Sequence, residues 1–77
     1  MHLIFTKHFQ DMVVDRNINI DHMKKSIINP DFAYRTSDGK IVARKSFNDT
    51  VLEVVYIKDF FGKAREQYRI ITAYYID

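Results

Sequence analysis

From Phe9 onward apolar side chains recur three and four positions apart: Phe9, Met12 and Val13, then, after a break that begins at "NINID", Ile20, Met23, Ile27 and Ile28. A period near 3.6 puts each set on one stripe of an α-helix. Thr6 can cap the first helix, which runs to about Arg16. Asn19 can cap the second, and Asn29-Pro30 stops it, because proline pushes the residue before it out of helical backbone. Ahead of both, His2 to Phe5 is a short extended start.

Beyond Phe32 the pattern changes to β-branched and aromatic residues punctuated by turn formers. "FAYRT" leads to Asp38-Gly39, which suits a two-residue hairpin turn. "IVARKSF" returns to a turn at Asn48-Asp49, "VLEVVYI" follows, "KDFFGKA" makes a looser turn around Gly62, and "EQYRIITAYYI" closes the chain. Two helices followed by four hairpin-connected strands predict an α+β fold of order ααββββ, with both helices packed on one face of a four-stranded antiparallel sheet. The other face is then open to a ligand or partner.

Alternation assigns side chains to those faces. Tyr68, Ile70, Thr72 and Tyr74 share one side, and Arg69, Ile71, Ala73 and Tyr75 the other, unless a bulge shifts the register. The small Ala73 beside Ile71 suits contact with a helix. Thr72 is therefore expected on the open face with Tyr68 and Tyr74, and Arg69 at the sheet's edge. In "IVARKSF" the parity of Ile41, Ala43 and Phe47 suits the covered side and takes Lys45 with it, leaving Arg44 to the open face.

The 77 residues suffice for one hydrophobic core, so a single domain spanning 1–77 is expected. A chain of this size retains only about 3–5 kcal/mol of net stability unless stapled, and no cysteine is present for a disulfide or a thiolate-bound zinc. A partner or a homodimer fits that shortfall. The opening "MHLIFTKHF" has an apolar run of three, too short for a signal-peptide core, and no run of about eighteen apolar residues occurs to span a bilayer. A soluble cytoplasmic protein with no membrane association is expected. The net charge of +2 is unevenly spread: Arg35, Lys40, Arg44 and Lys45 face only Asp38 between residues 35 and 45, and Lys58, Lys63, Arg65 and Arg69 outnumber Asp59 and Glu66 further on. Basic residues interleaved with aromatics suit contact with phosphates, although solvated charge on strand surfaces gives the same pattern.

The stretch "FTKHFQDMVVDRNINIDHMKKSIINPDFAYRTSDGKIVARK", followed by "VLEVVYI" and a final "YRIITAYY", resembles a large family of small prokaryotic proteins of unknown function. Their pattern is a histidine-bearing first helix ending in arginine, a capped second helix ending in Asn-Pro-Asp, an Asp-Gly hairpin, and a last strand of the form Ile-Thr-Ala-Tyr. That family is similar to the BrnT and RelE toxins of the Barnase-EndoU-colicin-RelE nuclease assemblage, whose members cut RNA without a metal. The resemblance covers nearly the whole chain and rests on the order of short motifs. It implies a RelE/BrnT-like domain whose helix-one histidine is His8, whose helix-ending arginine is Arg16, whose second-strand basic positions are Arg44 and Lys45, and whose last-strand hydroxyl is Thr72. This chain departs from the pattern in a longer third hairpin, "FFGKAREQ", and in Asn17, where a glycine is common after the arginine.

Metal-independent RNA cleavage needs a base for the 2′-hydroxyl proton, cationic donors for the phosphate and an acid for the leaving oxygen. His8 can act as base or acid, since imidazole titrates near pH 6.5. Arg44 and Thr72 complete the expected catalytic group, with Arg16, Lys45 and Arg69 as phosphate contacts and Tyr68 and Tyr74 as platforms for bases. For each of these positions ordinary surface or sheet packing is the competing reading. His2 and His22 read as structural. No metal and no cofactor are expected: His8 and Asp11 lack a third ligand, and two glycines make no phosphate-cradling loop. The functional expectation is a ribonuclease toxin, or a toxin-derived relative, acting on RNA (free or on the ribosome) and neutralised by an antitoxin laid over the open face. The alternative is a non-catalytic module on the same scaffold that binds a protein or nucleic acid through that face or through an edge strand.

Overall fold

Thr6 ends the first strand and starts the first helix, its hydroxyl accepting from the Phe9 N–H at 3.1 Å. The computed structural model describes residues 2–61 and 65–76. In chain order the elements are β1 (His2–Phe5), α1 (Lys7–Asp15), α2 (Ile20–Ile28), β2 (Phe32–Arg35), β3 (Ile41–Phe47), β4 (Thr50–Phe61) and β5 (Arg65–Ile76). Asn19 caps α2 as expected, accepting from the His22 N–H at 3.1 Å. Among the described residues no helix is long and apolar enough to cross a membrane.

Two helices do pack on one face of a sheet, but the sheet has five strands and is mixed. Its order is β1-β5-β4-β3-β2, with β1 parallel to β5. The extended start is thus an edge strand, which the hairpin count left out because its partner lies more than sixty residues away in sequence. As a consequence Arg69 sits between β4 and β1, opposite Ile57 and Ile4, and not at the sheet's edge. The β2–β3 connection also differs from a two-residue turn. Thr36 and Lys40 still bond across it at 2.8 Å, leaving Ser37, Asp38 and Gly39 as the loop, with Gly39 at φ +89° supplying the left-handed position such a loop requires. β4 continues as strand through Lys58–Phe61, where a turn was expected; Gly62, the centre of that expected turn, lies outside the described residues.

A bulge decides the faces of β5. Val55 pairs with Thr72 and Tyr56 with Ile70, so Ile71 has no partner and the alternation changes phase there. Tyr68 and Ile70 therefore join Ala73 and Tyr75 on the helix side, where Tyr68 packs edge-on to Tyr56 with ring centroids 5.6 Å apart. Tyr68 is thus not on the open face.

The register aligns small residues under the helices: Ala43, Val54 and Ala73 lie side by side across β3, β4 and β5 and are fully buried. α2 rests on β3 and β4, α1 on β5 and β1. Phe9 from α1, Met23 and Ile27 from α2, and Ile18 from the turn between them fill the layer against Leu52, Tyr56 and Ile70. Full burial of a side chain such as Phe9 contributes about 1.5–3 kcal/mol.

Candidate functional site

On the bare face the register builds one transverse row. Phe32 stands opposite Arg44, Arg44 opposite Glu53, and Glu53 opposite Tyr74, across β2, β3, β4 and β5. Glu53 is only 5% exposed, although among the described residues no helix covers this side. Its carboxylate accepts from Arg44 Nε at 2.7 Å and from the Tyr74 hydroxyl. The bond to Glu53 raises the Arg44 pKa further above its already high value and holds the Tyr74 phenol above its usual range. Phe32, Tyr34 and Tyr74 surround this pair as exposed aromatics, with the Phe32 and Tyr34 rings 5.7 Å apart. Arg44 does occupy the open face, but its charge is committed to a buried carboxylate.

Arg16 differs. It is the C-cap of α1, and its backbone N–H satisfies the Met12 carbonyl at 2.9 Å. One end of its guanidinium, Nη1, donates to the Ala73 carbonyl at 3.0 Å and to the Thr72 hydroxyl at 3.3 Å. Both acceptors lie past Ile70, the last residue of β5 that β1 pairs. α1 thereby covers the stretch of β5 that β1 leaves unpaired. The Thr72 hydroxyl also reaches Met12 Sδ at 3.4 Å, so it meets α1 and not the Arg44 row. Among the described residues no carboxylate pairs with Arg16.

His8 is exposed on α1, two turns before Arg16 and separated from it by about 12 Å of helix axis. His8, Met12 and Arg16 follow one another at i, i+4, i+8, a single ridge of the helix. Because α1 packs on the covered face, the sheet stands between His8 and Arg44. The expected trio of His8, Arg44 and Thr72 is therefore not assembled: Thr72 goes with Arg16, and Arg44 with Glu53 and Tyr74. Lys45 lies on the helix side as its parity predicts, and its ammonium emerges to donate to the Asn29 carbonyl at 2.9 Å and to pair with Asp31 at 3.5 Å. The Ser46 N–H bonded to Asp31, reinforced by Lys45, keeps that carboxyl below its ordinary value. Arg69 falls on the open face by alternation from Tyr68 and Ile70.

A cleft of about 410 Å³ opens where the α1–α2 turn meets the ends of β4 and β5, lined by Asn17, Ile18, Asn19, His22, Thr50 and Tyr75. Here the Tyr75 hydroxyl accepts from the Asn19 N–H at 3.2 Å and lies 3.3 Å from His22 Nδ1. The His22 ring stacks on Phe47 at 3.9 Å, nearly parallel. Sequence reading missed both Glu53 and His22. Glu53 had a signal, a lone carboxylate inside the otherwise apolar "VLEVVYI", which asks for a cation on a neighbouring strand. His22 had none, because Tyr75 reaches it across 53 positions of sequence. Among the described residues no group of three or more His, Asp or Glu side chains could hold a metal ion.

Together these features define a class: a small α+β domain with one helix-covered and one bare sheet face, and an anchored arginine at the helix–sheet junction. Comparison with known protein families, with curated proteins and with solved structures yields no match.

Proposed function

We propose that this chain is a RelE/BrnT-like domain that acts on RNA in the cytoplasm, as a metal-independent ribonuclease toxin or a relative derived from one. The observation that carries the reading is Arg16: its guanidinium is held by Nη1 against Thr72 and Ala73, the residue is exposed, and among the described residues no carboxylate neutralises it. A planar cation fixed at one end and open at the other is suited to two oxygens of a phosphodiester. Thr72 stands beside that phosphate, and His8, on the same ridge of α1, is the acid–base group for a neighbouring phosphodiester of the same strand and not for the one Arg16 holds. Their spacing fits successive nucleotides along a strand better than a single phosphate. Arg44 leaves the catalytic group, since its charge is already answered by Glu53.

The bare face is then the surface for an antitoxin. All four residues of β2 are exposed, and Phe32, Tyr34 and Tyr74 offer aromatic anchors around the Arg44–Glu53 pair. The same observation favours a second reading, a non-catalytic module that engages its partner there.

Expression of the wild type, His8→Ala and Arg16→Ala, with growth and RNA integrity as readouts, tests the proposal. RNA breakdown by the wild type that either substitution abolishes supports it. Intact RNA and equal growth in all three overturn the nuclease, and RNA binding lost only in Arg16→Ala would then identify a binding module.

A further inference from the structure

We infer that the cleft between the α1–α2 turn and the end of β5 receives one unstacked base of the bound RNA, an inference that rests on the RNA reading above. The cleft is preformed. Asn17, at φ 53°, reverses the chain so that Ile18 drops into the core and its N–H closes on the Val13 carbonyl at 2.9 Å. Asn19 follows as the cap of α2, and its backbone N–H ties the turn to the Tyr75 hydroxyl of β5. His22 is held twice, by its stack on Phe47 and by the Tyr75 hydroxyl at Nδ1.

The lining chemistry specifies the guest. None of the six residues is an acid, a lysine or an arginine. It offers the hydrogen-bonding groups that a base edge can meet: the Asn17 amide, the Asn19 amide nitrogen left over after its oxygen caps His22, the Thr50 hydroxyl oxygen, whose proton goes to the Ile76 carbonyl at 3.5 Å, and His22 Nε2. Side-chain amides match the paired donor and acceptor atoms on a base edge, and unstacked RNA bases are read by such amides beside aromatic rings. The volume of about 410 Å³ is at the small end of ligand sites, adequate for a single base.

Position completes the argument. Asn17 directly follows Arg16 in the chain, and Tyr75 lies three residues, about 10 Å of strand, beyond Thr72. A phosphate held by Arg16 therefore has its neighbouring base at the mouth of the cleft. Arg16 supplies the sequence-independent hold and the cleft the base preference, the usual division between phosphate and base contacts.

Titration of the protein with each of the four nucleoside 5′-monophosphates, and with ribose 5-phosphate, followed by NMR, tests this. Expected are shifts at Asn17, Asn19, His22 and Thr50 with the nucleotides, a preference among the four bases, and no cleft shifts with ribose 5-phosphate. Asn17→Gly, which keeps the left-handed backbone and removes the amide, is expected to weaken the preferred nucleotide about tenfold while leaving ribose 5-phosphate binding unchanged. Equal binding of all five ligands, or shifts confined to Arg16, overturns the base site and leaves the RNA reading standing. Absence of binding by all five overturns the base site, and absence of RNA binding as well overturns both.

Discussion

Arg16 and Thr72, 56 positions apart in sequence, meet at 3.3 Å where α1 covers the unpaired part of β5. The contact joins a helix terminus to a strand through Nη1 alone, and the residue remains exposed. Arg16→Ala is expected to destabilise the fold by about 1 kcal/mol, the usual worth of such a bond, yet to abolish most RNA binding. Arg16→Lys keeps the charge but cannot hold Thr72 and a phosphate together, so it should recover only part of the affinity. Filter binding at two salt concentrations, beside a urea titration, checks this. Equal affinity for all three proteins would remove Arg16 from the interface.

The Tyr74–Glu53 bond makes the alkaline limb of stability testable. The Tyr74 phenol titrates above its ordinary 10.0, chiefly because its proton bonds Glu53, and burial raises Tyr56 as well. A folded-state pKa raised above the unfolded one means that the contribution is complete below pH 10 and is lost as pH climbs through the folded value. Thermal melts should therefore fall in midpoint above pH 10, and less steeply in Tyr74→Phe. Absorbance titration of Glu53→Gln should show one tyrosine returning towards 10.

At the acid end the β2–β3 loop is the reporter. The Lys40 ammonium, 2.6 Å from Asp38, and the Thr36 hydroxyl hold the Asp38 carboxyl down to about 2 from 3.8. A depressed carboxylate contributes above its unfolded pKa and loses that contribution as pH falls from 3.8 towards about 2. Carbon NMR of the Asp38 carboxyl should show this midpoint. In Lys40→Ala it should move up towards 3.8. Because Asp38 is exposed, the effect on global stability is expected to be small.

Phe9 is fully buried between α1 and the sheet, with Phe5 tilted against it at 5.3 Å. Phe9→Ala is expected to cost about 3–5 kcal/mol. That matches the whole net stability expected for a chain of this length, so the variant should show little cooperative melting by circular dichroism, while Val14→Ala, on an exposed position, should melt like the wild type.

The two helices and their caps were legible because their signals are local: Thr6 and Asn19 bond to N–H groups three residues on, and the apolar period lies within nine residues. Asn17, noted as standing where the resembled family favours glycine, is explained by its φ of 53°. β1 was not legible as a strand of the sheet, since four residues carry no pairing signal and the partner is at the other end of the chain. Tyr68 went to the wrong face because alternation is counted residue by residue and one unpaired residue, Ile71, reverses everything on its far side. The expected site divided for another reason. His8, Arg44 and Thr72 were grouped through the resemblance, with parity placing Arg44 and Thr72 on the open face, whereas the docking of α1 brings Arg16 and Met12 to the Thr72 hydroxyl.

The sequence by itself determined the element types, the caps, the Arg44/Lys45 division between faces and the presence of one apolar core, all set by bonds and periodicities a few residues long. Only the tertiary structure decided the fifth strand, the phase of β5, the burial of Glu53 beneath Arg44 and Tyr74, and the meeting of Arg16 with Thr72. Those depend on which distant segments share the sheet, and that choice is made by the total fit of apolar surfaces and backbone hydrogen bonds, a quantity no short stretch of residues carries.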